Sequence, residues 1–168
     1  MPESNTRTYI VGHGDQLYRR SVYTFWKRSS PPPAFETFDS PSRELACVRR
    51  PRSNTPLQAF VTMNDRQWIE ASRKLAERVL LSGHSSTEAR LQALAGFTLG
   101  RPLSAREKGH FQPPLEEFVS HYRADANAAI LLLGVGDSSV APGVDTAELA
   151  AWTMVASQFL NLDEFLTK

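Results

Sequence analysis

Cysteine is nearly missing from this 168-residue chain: Cys47 stands alone. One cysteine excludes an intrachain disulfide, any zinc site built on several cysteines and the Cys-x-x-Cys-His attachment of haem. Long apolar runs are missing too. The longest, Ala128 to Leu133, is far short of the ~20 residues that a membrane-spanning helix needs. The opening MPESNTRTYIVGHGDQ has no basic start followed by an apolar stretch, so the pattern of a signal peptide is not expected. No segment alternates apolar and polar residues over a strand's length. Large net charge is lacking as well: the balance is +1, which argues against a general polyanion binder.

Catalytic and metal-binding patterns are equally scarce. The four histidines, His13, His84, His110 and His121, form no His-x-x-x-His pair. They read as exposed or helix-end residues. His110 and His121 share a helical face only if a helix runs unbroken through Pro113-Pro114, where a break is expected because proline lacks the N–H and clashes with the preceding turn. Gly134-Val135-Gly136-Asp137-Ser138-Ser139 lacks the closing glycine and preceding strand of a nucleophile elbow or phosphate loop. It reads as a turn between two helices. The adjacent pairs Glu116–Glu117 and Asp163–Glu164 diverge around a helix and read as solvated faces. Cys47, beside Arg49 and Arg50, reads as a small buried apolar plug. No catalytic constellation, cofactor site or metal site emerges.

What the chain does have is arginine, aromatics and proline crowded between Tyr18 and Asp65. Residues 1–60 hold nine Lys/Arg against five Asp/Glu, whereas residues 61–168 hold ten against thirteen. The basic character is therefore local. Arg19, Arg20, Arg28, Arg43, Arg49 and Arg50, with Tyr23 and Trp26, are the candidate binding residues. Guanidinium forks grip carboxylates, sulfates or phosphates, and aromatic faces stack on sugars. The competing reading is that these arginines pair with Glu36, Asp39, Glu44 and loop carbonyls, bracing a segment poor in regular backbone hydrogen bonds. Nucleic acid is excluded as the partner, because the remaining chain carries the opposite balance.

Helix signals dominate from Thr55 onward. Thr55-Pro56-x-Gln58 supplies an N-cap, a proline at the first helical position and a capping partner. Asn64 with Gln67 opens the next helix, with an apolar stripe of Trp68, Ala71, Leu75, Ala76 and Val79, ending at Gly83. Ser85-x-x-Glu88 and Ser104-x-x-Glu107 read as capping boxes. Ala126 to Leu133 is a short apolar helix closed by Gly134, and Asp145-x-x-Glu148 opens the last helix, with Leu149, Trp152, Ala156, Phe159 and Leu160 facing inward. The expected fold is all-α: six or seven short helices over 55–168, after a Pro/Arg-rich irregular segment over 18–54. Residues 1–17 are an undefined lead-in, and 18–168 one helical domain.

The pieces Arg19-Arg20-Ser21-x-Tyr23-x-Phe25-Trp26-Lys27-Arg28, Phe38-Asp39-x-Pro41, Asn54-Thr55-Pro56-Leu57-Gln58-Ala59 and Met63-Asn64-Asp65 carry a family resemblance. So do Leu99-Gly100-Arg101-Pro102-x-Ser104-x-x-Glu107 and the run from Ala147 to Phe165. Together they resemble the planctomycete-type domain of unknown function that ends large proteins bearing c-type cytochrome domains. The resemblance spans roughly 16–168 and implies that the chain holds the C-terminal portion of that domain. It further implies a protein partner, either the missing upstream portion or a cytochrome-bearing protein, and an exported setting in the longer relatives. Three functions follow as expectations: a non-catalytic helical interaction module, an anionic-carbohydrate binding module built on the arginine–aromatic segment, or the end of a larger enzyme.

Overall fold

Six of the eight helices begin where a neutral or acidic side chain takes up an orphan backbone N–H group, and three stop within two residues of a glycine. A computed structural model describes residues 11–24, 26, 30–41, 46–49 and 53–167. Among them lie eight α-helices and no strand, so the protein is all-α. The helices are α1 (Pro33–Thr37), α2 (Pro56–Asn64), α3 (Arg66–Leu81), α4 (Thr87–Thr98), α5 (Ala105–Ala124), α6 (Ala126–Leu133), α7 (Thr146–Leu160) and α8 (Asp163–Leu166). No helix among the described residues is long and apolar enough to cross a membrane. The chain divides into two units, Met1–Val61 and Thr62–Lys168.

In the first unit, single 3₁₀ turns occupy Gly14–Gln16 and Ser21–Tyr23. The proline triplet splits: Pro32 is extended, whereas Pro33 starts α1. Proline's fixed φ suits the first helical position, where its missing N–H has no intrahelical acceptor to lose. The cap of α2 is reciprocal as expected. Thr55 N–H donates to Gln58 Oε1 at 3.0 Å, and Gln58 N–H to Thr55 Oγ1 at 3.3 Å. The Gln58 amide also donates to the Thr37 carbonyl at 2.8 Å and to Ser53 Oγ at 3.0 Å. Ser53 in turn donates its N–H and hydroxyl to Asp39, at 3.0 and 2.6 Å. Asp39 has φ of 56°, a left-handed conformation that aspartate tolerates better than most residues. These links tie α1 to the start of α2 across the irregular segment.

In the second unit α7 is the central post. It packs against α3, α4, α5, α6 and α8, and Leu149 to Thr153, Val155 to Ser157, Phe159 and Leu160 are all buried. Around it gather Ala76 and Val79 of α3, Leu91, Leu94 and Ala95 of α4, Leu115 and Tyr122 of α5, and Ala129 and Leu133 of α6. Phe111 of α5 stacks on Phe159 at 4.2 Å between centroids. A helix buried all round needs its polar groups satisfied internally. Thr153 does this by donating its hydroxyl to the Leu149 carbonyl at 2.7 Å.

Two helix starts lie one residue beyond the expected caps. Asp65, not Asn64, accepts from Gln67 N–H, and Ser86, not Ser85, accepts from Ala89 N–H. Glu88 therefore sits inside the first turn of α4 and pairs with Lys108. The larger departure is α5, which runs unbroken through Pro113 and Pro114. The two prolines withdraw N–H donors from the carbonyls of Gly109 and His110, both exposed, where water can replace the lost bonds. Phe111 on one side and Leu115 and Tyr122 on the other pack on the core, which offsets the ~3 kcal/mol penalty of an interior proline. His110 and His121 thus share one helix after all, both exposed. At 1.5 Å per residue they stand about 16 Å apart, too far to hold one ion.

The expected box at Ser104 is complete, and it belongs to a wider knot. Arg101 reaches Glu107 and Glu164, each at 2.7 Å, so Glu164 of α8 is an ion-pair partner as well as a helix-face residue. The Arg101 guanidinium, followed by Ser104, lowers the Glu107 carboxyl from 4.5 to about 2. A depressed carboxyl contributes stability above its ordinary value, and that contribution disappears as pH falls toward 2. The melting temperature should therefore drop between pH 4.5 and pH 2. Glu107→Gln should lower it at pH 7 and flatten the acid drop; superimposable acid profiles would contradict this assignment.

Candidate functional site

The arginine–aromatic segment is placed only in part. Arg20 precedes the 3₁₀ turn that carries Tyr23, and Arg19, Arg20, Tyr23 and Arg49 are exposed. Trp26 is half-buried and lies against Phe35, with ring centroids 5.1 Å apart at 31°. Arg28, Arg43 and Arg50 lie outside the described residues. Cys47, expected as a buried plug, is instead exposed; its neighbours Ala46, Val48 and Arg49 are exposed as well, so no apolar enclosure forms around it. Beyond the segment, α2 presents Leu57, Phe60 and Met63 to solvent, 59%, 62% and 49% exposed. Their spacing of three residues keeps them on one side of the helix.

The polar cluster that sequence reasoning missed is on α3. Glu70, Arg73 and Glu77 are buried, whereas Ala71 of the expected apolar stripe is exposed. The loop between α6 and α7, read correctly as an interhelical turn, lies on this charged face. Glu70 accepts the N–H groups of Asp137 and Ser138, both at 2.9 Å. Arg73 donates through Nη2 to the Ser138 carbonyl at 2.7 Å and hydroxyl at 2.9 Å. Its Nη1 donates to Glu77 at 3.0 Å and to the Ser139 carbonyl at 3.1 Å. Glu77 also accepts from Ala141 N–H at 3.1 Å and from Lys74 at 2.8 Å.

Gly136 explains how the loop comes so close. Its φ is +101°, and a Cβ there would fall 2.3 Å from a Glu70 carboxylate oxygen, so both conformation and space require glycine. One donor is left over: Arg73 Nε is enclosed without an acceptor among the described residues. Chemically the arrangement is a clasp. Its carboxylates and guanidinium, themselves buried, are engaged by backbone groups of the loop. The signal was present in the sequence as Glu70, Arg73 and Glu77 at i, i+3 and i+7, the spacing of a helix face. Their charge hid it, since such residues are rarely buried unless paired.

Family comparison adds one positive finding. The family model described as PSD1: Protein of unknown function (DUF1553) matches residues 1–113. The chain belongs to this family. The DUF1553 match takes in the arginine–aromatic segment and α1 to α4, and ends within α5; Glu70, Arg73 and Glu77 fall inside it, whereas the α6–α7 loop that they hold lies beyond it. No curated protein and no solved structure matches the chain. Among the described residues no group of three or more His, Cys, Asp or Glu side chains is arranged to hold a metal ion.

The clasp makes its own prediction. Glu70→Gln keeps the size but offers one acceptor oxygen and turns an NH₂ toward a backbone donor. A fully buried N–H left unpaired costs about 1–3 kcal/mol, and these part-buried donors should lose less. Amide exchange at Asp137 and Ser138 should accelerate in the variant; unchanged protection at both would contradict the clasp.

Proposed function

We propose that the chain is a non-catalytic helical interaction module of the DUF1553 family that docks a cytochrome-bearing protein through α2. The observation that carries this reading is the exposed ridge of Leu57, Phe60 and Met63. It stands on a helix whose start is fixed by the reciprocal Thr55–Gln58 cap. Apolar side chains in such a row supply the anchors of helix-mediated recognition. The choice of partner rests on the resemblance of the signature pieces to the planctomycete-type domain that accompanies c-type cytochromes. The buried acids and arginine of α3 are engaged in holding a loop, which also favours a structural role for them over catalysis.

A second reading has one observation in its favour. Exposure of Arg19, Arg20, Tyr23 and Arg49 suits an anionic-glycan surface, since bidentate guanidinium contacts require groups that a ligand can reach. In that case binding would weaken as salt rises.

The two readings separate in one set of columns. The immobilised chain should retain a haem-bearing protein from an envelope extract of the source cells, seen by its haem absorbance. Phe60→Glu should release it without lowering the melting temperature, because an exposed substitution of this kind typically changes stability by less than about 0.5 kcal/mol. Retention that survives Phe60→Glu, or no haem protein at all, would contradict the interaction reading. Salt-sensitive retention of the chain on a sulfated polysaccharide, lost in the Arg19→Ala, Arg20→Ala double variant, would put the glycan reading in its place.

A further inference from the structure

Three helices of the second unit leave a cleft of about 470 Å³, within the size range of small-molecule sites. Its apolar lining is Leu115, Val119 and Trp152, and Gln112, Glu116, Ser120 and Arg123 of α5, Thr87 of α4 and Glu148 of α7 supply the polar groups. We propose that this cleft binds a small organic anion with a flat apolar body, a monocarboxylate being the simplest example. None of its lining residues belongs to α2 or to the arginine–aromatic segment.

Two donors that reach the cleft can meet an acceptor-bearing ligand. Trp152 lines the cleft with only 2% of its surface exposed, and its indole nitrogen is not among the enclosed unpaired atoms, so the N–H is open to an acceptor that enters the cleft. Arg123 carries the second: its side chain makes no ion pair or hydrogen bond among the described residues, so its fork is available for bidentate contact with a carboxylate.

Glu148 is already taken by Arg90, at 2.5 Å, and Arg90 is held from its other side by the His84 carbonyl at 2.9 Å. Thr87 opens α4, whose cap is the uncharged Ser86 and whose first-turn acid, Glu88, is tied to Lys108. The positive end of that helix is thus not cancelled locally. Glu116 is the one lining carboxylate without a cation, and it opposes the ligand. Leu115 and Val119, with the Trp152 ring, give the apolar body somewhere to leave water.

The test is a titration of the full chain with benzoate at low ionic strength, following the assigned indole N–H signal of Trp152 by two-dimensional NMR. A saturable shift on the order of millimolar benzoate is expected. Arg123→Gln should weaken it about tenfold, the loss of a charge-assisted pair, and Glu116→Gln should tighten it. Benzylamine, the same ring with a positive charge, should leave the signal unmoved. Both substituted residues are exposed, and an unchanged spectrum elsewhere verifies the fold. No saturable shift, a benzylamine shift equal to that of benzoate, or indifference to Arg123→Gln would each overturn the proposal.

Discussion

Burial of α7 on every side is the constraint on which the larger unit depends. A helix with α3, α4, α5, α6 and α8 around it cannot carry a conventional polar face. Its sequence therefore alternates large anchors, Leu149, Trp152, Phe159 and Leu160, with small residues, Ala150, Ala151, Ala156 and Ser157. The small positions let neighbouring helices approach, and the large ones fill what remains, as close packing requires. This burial also accounts for the tolerance of two prolines in α5. Packing of Phe111, Leu115 and Tyr122 on the core holds the helix axis on course where its own hydrogen bonds are missing.

The same constraint shapes α3. One side of it gives Ala76 and Val79 to the core, while Glu70, Arg73 and Glu77 face the loop that delivers the chain to the start of α7. That loop cannot form its own regular hydrogen bonds, so α3 supplies acceptors to the N–H groups of Asp137, Ser138 and Ala141, and donors to the carbonyls of Ser138 and Ser139. Buried ion pairs of this kind contribute little net stability compared with an apolar replacement, but breaking one partner is costly. Positioning of the loop is the role we assign to them.

Much of the helical architecture was legible because caps and stops are local chemistry. Thr55–Gln58, Ser104–Glu107 and Asp145–Glu148 all mark real helix starts, and Gly134 follows a real end. The slips at Asn64/Asp65 and Ser85/Ser86 came from adjacent residues of equal capping power, where tertiary packing chooses. Pro113-Pro114 was misread because proline's cost is local but its compensation is tertiary. The buried charges of α3 were invisible because their partners are backbone groups more than 60 residues away in sequence. The candidate binding residues were legible only as a composition. Arg19, Arg20, Tyr23 and Arg49 are exposed as a binding surface would need, whereas Arg28, Arg43 and Arg50 lie outside the described residues. The cleft beside Trp152 left no sequence signal, since its walls come from three helices with unremarkable individual patterns.

The central claim is that α7 is the post of the fold, and Trp152 is its largest fully buried side chain. Chemical denaturation of Trp152→Ala measures this most directly. The account predicts a loss of about 3–5 kcal/mol with a preserved cooperative transition. A loss below about 1 kcal/mol would contradict it, because a residue so weakly held would not be part of a packed core.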